Sequence, residues 1–177
     1  MSYSNTFVEL DKGQHDRGSF DCGENELNDF IQTKASKHML AGISKTFVLP
    51  TDSLLPNGKR SICAFYSVTP SSIARENLPR PLAKKLPHYP IPVFLIAQLA
   101  VQLDQKGQGL GKITLVKALE FLWSINAQMP AYAVVVDCLN REAHNFYEHF
   151  GFEILCTYNG RVRMFLPMKT IGDLFCV

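Results

Sequence analysis

The chain has 177 residues, of which 46% are hydrophobic and 19% charged, and this composition excludes a disordered protein. The formal net charge is only +2, so a polyanion would have to bind at local clusters of basic residues. The five cysteines are odd in number and form no CxxC pair, which predicts reduced thiols and no metal site. We predict a single domain over residues 1–177, because no linker or repeat divides the chain.

Two features of the chain predict its location. The N-terminal segment is polar and is broken by Gly13 and Gly18, so it lacks the apolar run of a signal peptide. The longest apolar run, Pro92–Val101, is about half the length that a membrane helix needs. We therefore expect a cytoplasmic protein that contacts no membrane.

The first half of the chain combines strand and helix patterns. The predicted elements are a strand at 6–10, one or two helices at 24–40, and strands at 45–50 and 61–69 joined by an Asn57-Gly58 hairpin turn. From Pro70 to Pro92, six prolines predict a long loop with at most a turn of helix at 82–86.

The second half predicts an α/β arrangement. A buried strand at 93–101 is followed by a glycine loop, a helix to about Asn126, a strand at 131–137, a helix at 140–150 and strands at 152–156 and 163–168. Asn140 is the expected N-cap of the second helix, and Gly151 is its expected stop. The strand–helix–strand connection predicts that strands 93–101 and 131–137 are parallel.

Three glycines at alternate positions, Gly107, Gly109 and Gly111, lie between the apolar strand and the helix. Glycine allows a sharp turn and close approach of a ligand, and a helix N-terminus attracts anions, so the loop suits a pyrophosphate flanked by Lys106 and Lys112. The spacing matches neither a Rossmann fingerprint nor a P-loop. A glycine-rich turn without a ligand fits the loop equally well.

The glycine loop and the second helix together resemble the GNAT acetyltransferase superfamily. The resemblance is carried by Gln108-Gly109-Leu110-Gly111 and by Asn140, Ala143, Tyr147 and Gly151-Phe152. It implies an α/β (α+β) GNAT fold, in which a central mixed, twisted sheet is flanked by helices and parallel strands splay apart around an acetyl-CoA site. The residues that it places at the cofactor are Leu99, Ala100, Val101, Lys106, Gly107, Gln108, Gly109, Leu110, Gly111, Lys112 and Asn140.

One position departs from the superfamily pattern. Asp104 stands where Gln or Arg is usual, three places before the first loop glycine, and Gln105 and Lys106 are the candidate substitutes. A backbone cradle would survive this change, whereas the affinity for the cofactor and the fine geometry of the loop depend on it.

The resemblance assigns Tyr147 as the general acid that protonates the departing CoA thiolate. A phenol with a pKa of about 10 is protonated at neutral pH and can donate to a thiolate with a pKa of about 8.5. The spacing of Ala143, Tyr147 and Phe150 is equally that of an ordinary apolar helix face. Gln98 stands where some relatives have Glu, which favours either an acceptor amine of low pKa that needs no strong base or a proton relayed through water.

The flanks resemble one GNAT subgroup, the toxins of bacterial toxin–antitoxin pairs that acetylate aminoacyl-tRNA. The matching segments are 20–24 with Leu27-Asn28, 42–48, 64–67, 91–93 and 99–101. This resemblance implies that the protein acetylates the α-amine of aminoacyl-tRNA and thereby blocks translation. It also implies neutralisation by a ribbon-helix-helix antitoxin and a homodimer.

Two clusters of basic residues are candidates for tRNA binding, although solvated surface lysines would show the same pattern. The candidates are Lys34, Lys37 and Lys45 in one cluster, and Arg75, Arg80, Lys84 and Lys85 in the other. A neutral α-amine on charged tRNA is the expected acceptor. The rival interpretations are an acetyltransferase for a protein N-terminus or small amine, and a non-catalytic CoA-binding module.

Four other features have structural interpretations. His144 and His149 are expected at the surface, and Cys138 is expected to be a packed thiol because direct acetyl transfer needs no acyl-enzyme. The apolar tail at 171–177 could contact a dimer partner or antitoxin, or pack on the sheet.

Overall fold

The computed structural model describes residue 3 and residues 5–176 of the chain. Its strands are β1 (Val8–Glu9), β2 (His15–Asp16), β3 (Lys45–Pro50), β4 (Arg60–Ile73), β5 (Ile91–Val101), β6 (Ala133–Asp137), β7 (Glu153–Tyr158) and β8 (Arg161–Pro167). Its α-helices are α1 (Asn25–Asp29), α2 (Ala35–Leu40), α3 (Arg80–Ala83), α4 (Leu110–Asn126), α5 (Arg141–His149) and α6 (Met168–Phe175).

Contacts group the chain into two compact units. The first takes in the chain up to Thr69 together with Ala97–Ala118, and the second takes in Pro70–Ile96 and the chain from Leu119 onward. Whether the whole chain forms one domain stays a prediction.

The first unit has the strand order β1-β3-β4-β5, with β2 beside β4. β1 and β3 are antiparallel, β3 and β4 are antiparallel, and the short strand β2 is parallel to β4. Alternation along β3 and β4 turns Val48 and Phe65 inward, where they pack with Phe20, Ile31 and Ala100. The predicted strand at 45–50 and its antiparallel pairing with the next strand are confirmed.

The predicted helical segment at 24–40 is interrupted by a π-helix turn. α1 passes into the π turn Phe30–Lys34, which continues into α2. Phe30 and Ile31 are buried in this turn and pack on the core of the first unit. Apolar spacing predicts the helix but carries no signal for the wider turn.

The second unit has the order β5-β6-β8-β7. β5 and β6 are parallel from Val93↔Ala133 to Ile96↔Val136, which confirms the predicted crossover. β6 and β7 are both antiparallel to β8. The mixed strand directions and the flanking helices confirm the predicted α/β class with a mixed sheet.

The proline-rich segment is more ordered than the prediction of a loop. β4 continues through Pro70 to Ile73, and β5 begins at Ile91. Pro70 lies beyond the last β3 partner, Lys45↔Val68, so that pairing needs no N–H from it. The predicted turn of helix at 82–86 occurs slightly earlier, as α3.

Residues 171–175 of the predicted apolar tail belong to α6, whose residues Met168, Ile171 and Gly172 are buried, and Val177 lies outside the described residues. A Cβ atom built on Gly172 would lie 2.6 Å from Trp123 Cη2, so the helix backbone lies close against the indole ring. Packing against β8 and β6 accounts for the buried face, while Leu174 is exposed.

Candidate active site

The glycine loop lies in the first unit, between a 3₁₀ turn at Leu103–Gln105 and the start of α4. Gly107 and Gly109 have φ values of +81° and +78°, which is a left-handed conformation that other residues rarely adopt. A Cβ atom on either glycine would meet no atom within 4 Å. The backbone conformation therefore requires glycine at both positions, and the space beside them is open for a ligand.

The start of α4 is anchored by its buried first residue. Leu110 is buried with Leu49, Cys63 and Val101, and the Thr114 hydroxyl donates to the Leu110 carbonyl at 2.7 Å. The Ile113 N–H donates to the Gly109 carbonyl at 3.2 Å, so the preceding N–H groups lie at the open end of the helix. These groups and the helix dipole favour an anion such as a phosphate.

The other loop residues divide by exposure. Lys106, Gln108 and Lys112 are exposed, and Gly111 is half-buried in the first turn of α4. Both lysines are therefore placed where an incoming phosphate could reach them.

Leu99, Ala100 and Val101 form the end of β5. Ala100 and Val101 are buried, and Leu99 is half-buried. The parallel pairing with β6 ends at Ile96↔Val136, so these three residues lie beyond the paired segment. Their backbone is suited to hydrogen-bonding an extended ligand.

The departure at Asp104 has a local consequence. Asp104 is exposed, and its charge adds to burial in raising the pKa of the Cys63 thiol to about 11. Of the two candidate substitutes, Gln105 is 5% exposed and Lys106 is exposed. Of these two residues, Lys106 is therefore the one whose side chain is accessible to a ligand.

Tyr147 lies on α5 in the second unit. It is 7% exposed, and its ring packs against Phe146 at 5.1 Å and Phe152 at 5.3 Å between centroids. Burial, with a smaller effect of the Cys138 thiol, raises the pKa of its phenol well above the ordinary value. Among the described residues none hydrogen-bonds the hydroxyl, so a protonated donor is available to a substrate.

Asn140 is the N-cap of α5, as the sequence predicts. Its Oδ1 accepts the Ala143 N–H at 2.9 Å, and Gly151 follows the helix with a φ of +91°. Capping explains this asparagine by itself. Its place at the cofactor stays a prediction.

Sequence reasoning missed a buried ion pair in the second unit. Arg163 donates to Asp137 through Nε at 2.7 Å and Nη2 at 2.8 Å, and this bidentate bond raises the arginine pKa. The Tyr158 ring lies 4.0 Å from the guanidinium carbon. The available signal was Arg163 at the start of a predicted, largely apolar strand, since a charge that becomes buried there needs a partner.

The expectation of a surface position is wrong for His144. Its side chain is 12% exposed, and its Nδ1 atom is buried 3.8 Å from Glu148 Oε2. His149 is exposed, as expected. Cys138 is buried and its pKa is raised by burial, in keeping with the predicted packed thiol.

The first basic cluster is partly engaged in ion pairs. Lys34 pairs with Asp29 at 2.9 Å, a contact that the π turn creates by bringing positions five apart together. Lys45 pairs with Glu9, and Lys37 is exposed. Lys37 is the member of this cluster whose charge is most available to a polyanion.

In the second basic cluster, Arg75 has a structural role. Its guanidinium donates to the carbonyls of Leu86 and Pro87, at 3.2 and 3.3 Å, and so holds the proline-rich segment together. Arg80, Lys84 and Lys85 are exposed on and after α3.

The described residues contain neither a candidate metal site nor a membrane-spanning helix. Across residue 3 and residues 5–176, no group of three or more His, Cys, Asp or Glu side chains is placed to hold a metal ion. None of the helices in that part of the chain combines the length and apolar character needed to cross a membrane.

Comparison with known proteins identifies the family. A profile of the Acetyltransferase (GNAT) family matches residues 82–152. The tRNA-acetylating toxin of Mycobacterium tuberculosis is 32% identical over 159 residues, covering 88% of this chain and 90% of the toxin. The chain therefore belongs to the GNAT acetyltransferase family, and it is an N-acetyltransferase by class.

Solved structures place it more narrowly within that family. AtaT complexed with acetyl-methionyl-tRNAfMet has a TM-score of 0.83 and 30% identity, covering 96% of this chain and 98% of that chain. A mutant AtaT toxin bound to acetyl-CoA and the C-terminus of the antitoxin AtaR has a TM-score of 0.80 and 25% identity, covering 97% and 98%. The chain groups with the acetyltransferase toxins of toxin–antitoxin pairs, which confirms the narrower resemblance.

Proposed function

We propose that this protein transfers the acetyl group of acetyl-CoA to the α-amine of an aminoacyl-tRNA and so blocks translation. The observation that carries the proposal is the 32% identity with a tRNA-acetylating toxin over nearly the full length of both chains. The left-handed glycine loop supports it, because the loop leaves open space at a helix N-terminus suited to the phosphates of CoA.

The proposed cofactor residues act mainly through their backbone. N–H groups at the start of α4 bind the pyrophosphate, Lys106 and Lys112 add charge, and the backbone of Leu99 to Val101 pairs with the pantetheine arm. Acetyl-CoA supplies a thioester whose carbonyl carbon is open to attack by an amine. Because the cradle is built of backbone, the Asp104 departure changes affinity more than it changes the mode of binding.

The proposed reaction needs little base catalysis. A free α-amine has a pKa of about 7.7–8.0, and an adjacent ester lowers it further, so much of it is neutral in the cell. The amine nitrogen forms the new bond to the acetyl carbon while the carbon–sulfur bond breaks, and the amine proton leaves to water. Tyr147 donates its phenol proton to the departing thiolate and then regains a proton from solvent, which balances the proton that the amine released.

The basic residues differ in how strongly they support a role in RNA binding. Lys37, Arg80, Lys84 and Lys85 are exposed and are the strongest candidates for phosphate contacts. Lys34 and Lys45 would have to exchange a carboxylate partner for a phosphate, and Arg75 already supports the loop.

The proposed partners and location are those of the toxin subgroup that the chain resembles. We propose neutralisation by an antitoxin of the ribbon-helix-helix type, a homodimer, and action in the cytoplasm. AtaT, the relative compared above, binds its antitoxin AtaR, which supports an antitoxin for this chain. A single domain over the full chain belongs to the same proposal.

The test is acetylation by labelled acetyl-CoA of a panel of acceptors: total charged tRNA, the same tRNA after deacylation, N-terminal peptides and small amines. We expect label on charged tRNA and none on deacylated tRNA. Label on peptides or amines without tRNA would favour the first rival function. Cofactor binding without transfer to any acceptor would favour the non-catalytic module.

A further inference from the structure

Residues 102–106, here called the lead-in segment, connect β5 to the glycine loop and hydrogen-bond to a part of the chain that is distant in sequence. The Gln102 side-chain Oε1 accepts the Asp21 N–H at 3.0 Å, and the Leu103 N–H donates to the Asp21 carbonyl at 2.9 Å. The backbone of Asp21 therefore contacts two successive residues that lie directly between β5 and the loop.

Residues 20–24, here called the Asp21 turn, are themselves held by Asn28. Asn28 Oδ1 accepts the Cys22 N–H at 2.9 Å, and its Nδ2 donates to Asp21 Oδ1 at 2.9 Å. Asp21 Oδ1 also accepts the Gly23 N–H at 2.9 Å. The Asn28 amide thus uses both ends to hold the turn in one conformation.

The Asp21 turn packs against the core of the first unit through Phe20 and against the lead-in segment through Gly23. Phe20 is buried, with its ring 5.2 Å from that of Phe65 in an edge contact. Gly23 has a φ of +87°, and a Cβ built on it would lie 3.2 Å from Leu103 Cδ2. The left-handed backbone conformation favours glycine at this position, and a side chain there would displace the Leu103 side chain by a few tenths of an ångström.

The other side of the lead-in segment is fixed by the sheet. The Gln102 N–H donates to the Cys63 carbonyl at 2.8 Å, and the Lys106 N–H donates to the Leu103 carbonyl at 3.2 Å. The segment is therefore held from two directions at Gln102 and Leu103, and its own 3₁₀ turn continues from there to Lys106, the residue before Gly107.

We propose that the Asp21 turn positions the glycine loop for acetyl-CoA, with Asp21, Asn28 and Gln102 as positioning residues. This inference rests on the proposed use of the loop as the acetyl-CoA site. Left-handed glycines are flexible in the unfolded chain, so a loop built from them needs outside restraint to present its N–H groups in one geometry.

The charges of Asp21 and Lys106 also link the Asp21 turn to the glycine loop. The carboxylate of Asp21 has a lowered pKa, first because of the Gly23 and Asn28 hydrogen bonds and further because of the nearby Lys106 charge. Lys106 therefore lies within electrostatic reach of the turn. The turn acts both on the backbone of the loop and on one of the two lysines proposed to pair with phosphates.

The experiment measures acetyl-CoA binding by calorimetry and steady-state kinetics with charged tRNA, using two replacements at one position. Gln102→Met keeps the length of the side chain and removes the acceptor for the Asp21 N–H. Gln102→Glu keeps an acceptor oxygen. Gln128→Met, at an exposed position in the second unit, is the matched control.

Loss of one neutral hydrogen bond should raise the Kd and KM for acetyl-CoA by about two- to tenfold in Gln102→Met. The value of kcat at saturating acetyl-CoA should stay unchanged in Gln102→Met. Gln102→Glu, which keeps the acceptor, should recover part of the affinity lost in Gln102→Met, and Gln128→Met should bind like the wild type. Asn28→Ala, which removes the two hydrogen bonds that Asn28 makes to the turn, should weaken binding in the same sense.

Wild-type acetyl-CoA affinity in both Gln102→Met and Asn28→Ala would overturn the inference. An equal loss of kcat with unchanged KM would also overturn it, because that pattern indicates a general loss of active protein. Wild-type protein that binds acetyl-CoA but acetylates no charged tRNA would overturn the proposed acceptor alone. Wild-type protein that binds no acetyl-CoA would overturn both.

Discussion

Asp137 and Arg163 face each other in the β6–β8 register and are joined by two parallel hydrogen bonds of 2.7 and 2.8 Å. Asp137 ends β6, and the next residue, Cys138, donates its N–H to the Val162 carbonyl at 2.9 Å. Asn140, the cap of the helix that carries Tyr147, follows two residues later. The ion pair therefore fixes the strand end from which the α5 helix starts.

Replacing Arg163 tests how much the ion pair with Asp137 contributes to the free energy of unfolding. Arg163 is 5% exposed, so Arg163→Met leaves the Asp137 carboxylate partly buried without a partner, and we expect a loss of about 3 kcal/mol in the free energy of unfolding. Urea denaturation measures this loss. The control is Arg161→Met in the same hairpin, which is only half-buried. Equal stabilities for the two variants would contradict the assignment.

Tyr147→Phe separates chemistry from packing. The substitution keeps the ring contacts with Phe146 and Phe152 and removes only the hydroxyl, which bonds to no described residue. We expect unchanged thermal stability and acetyl-CoA affinity, with a fall in kcat of about 10²-fold or more. Rapid-quench or steady-state acetylation of charged tRNA measures kcat. Near-normal turnover would exclude Tyr147 as the general acid.

The raised pKa of Tyr147 has a consequence for the pH profile. A general acid acts in its protonated form, so activity would be lost only as pH rises through the phenol pKa. Because burial moves that pKa above about 10, the alkaline limb of kcat should not fall below that pH through ionisation of Tyr147. A phenol-dependent decline near pH 9, absent from Tyr147→Phe, would contradict the burial argument.

Gly172→Ala tests the contact between α6 and α4. The added methyl group would lie 2.6 Å from Trp123 Cη2 and 2.9 Å from Cζ3, so the indole or the helix must move. Overpacking costs about 1–3 kcal/mol, which exceeds the gain of up to about 1 kcal/mol in helix propensity. Thermal melts measure the loss. Gly18→Ala is the control, since its methyl group would meet only Asp16 Oδ1 at 3.8 Å.

Charge reversal tests the second basic cluster. Lys84 and Lys85 are exposed, and if they contact phosphates, the Lys84→Glu/Lys85→Glu double variant should bind tRNA more weakly. The slope of log K against log salt should become shallower by about one to two. Filter binding over a salt series measures both. Lys169→Glu, an exposed lysine on α6, should leave the slope unchanged; wild-type behaviour of the double variant would remove this cluster from the tRNA surface.

Local sequence signals predicted the elements whose stability is itself local. The helix from Leu110 to Asn126 follows from its apolar stripe, and the start of α5 follows from the capping asparagine at 140. The sharp turn at the loop glycines follows from their place between strand and helix, and its left-handed φ values are a finding of the structure. In each case the residues that determine the local structure belong to the element itself or lie next to it in the sequence.

Long-range partners explain what the sequence could not predict. The burial of Arg163 depends on Asp137, 26 residues away, and the role of Gln102 depends on Asp21, 81 residues away. The burial of the His144 side chain is likewise not resolved by helix periodicity. The Asp21 turn was visible as a family motif, but its contact with the lead-in to the glycine loop needed coordinates.

The central claim is that the acceptor is the α-amine of an aminoacyl-tRNA. The most direct measurement is mass spectrometry of the aminoacyl-adenosine released by nuclease from total charged tRNA after incubation with acetyl-CoA and the wild-type protein. Tyr147→Phe serves as the paired sample. We predict an acetyl group on the α-amine of at least one amino acid, dependent on the wild-type enzyme. Unmodified aminoacyl-adenosines throughout, from protein that still binds acetyl-CoA, would contradict the account.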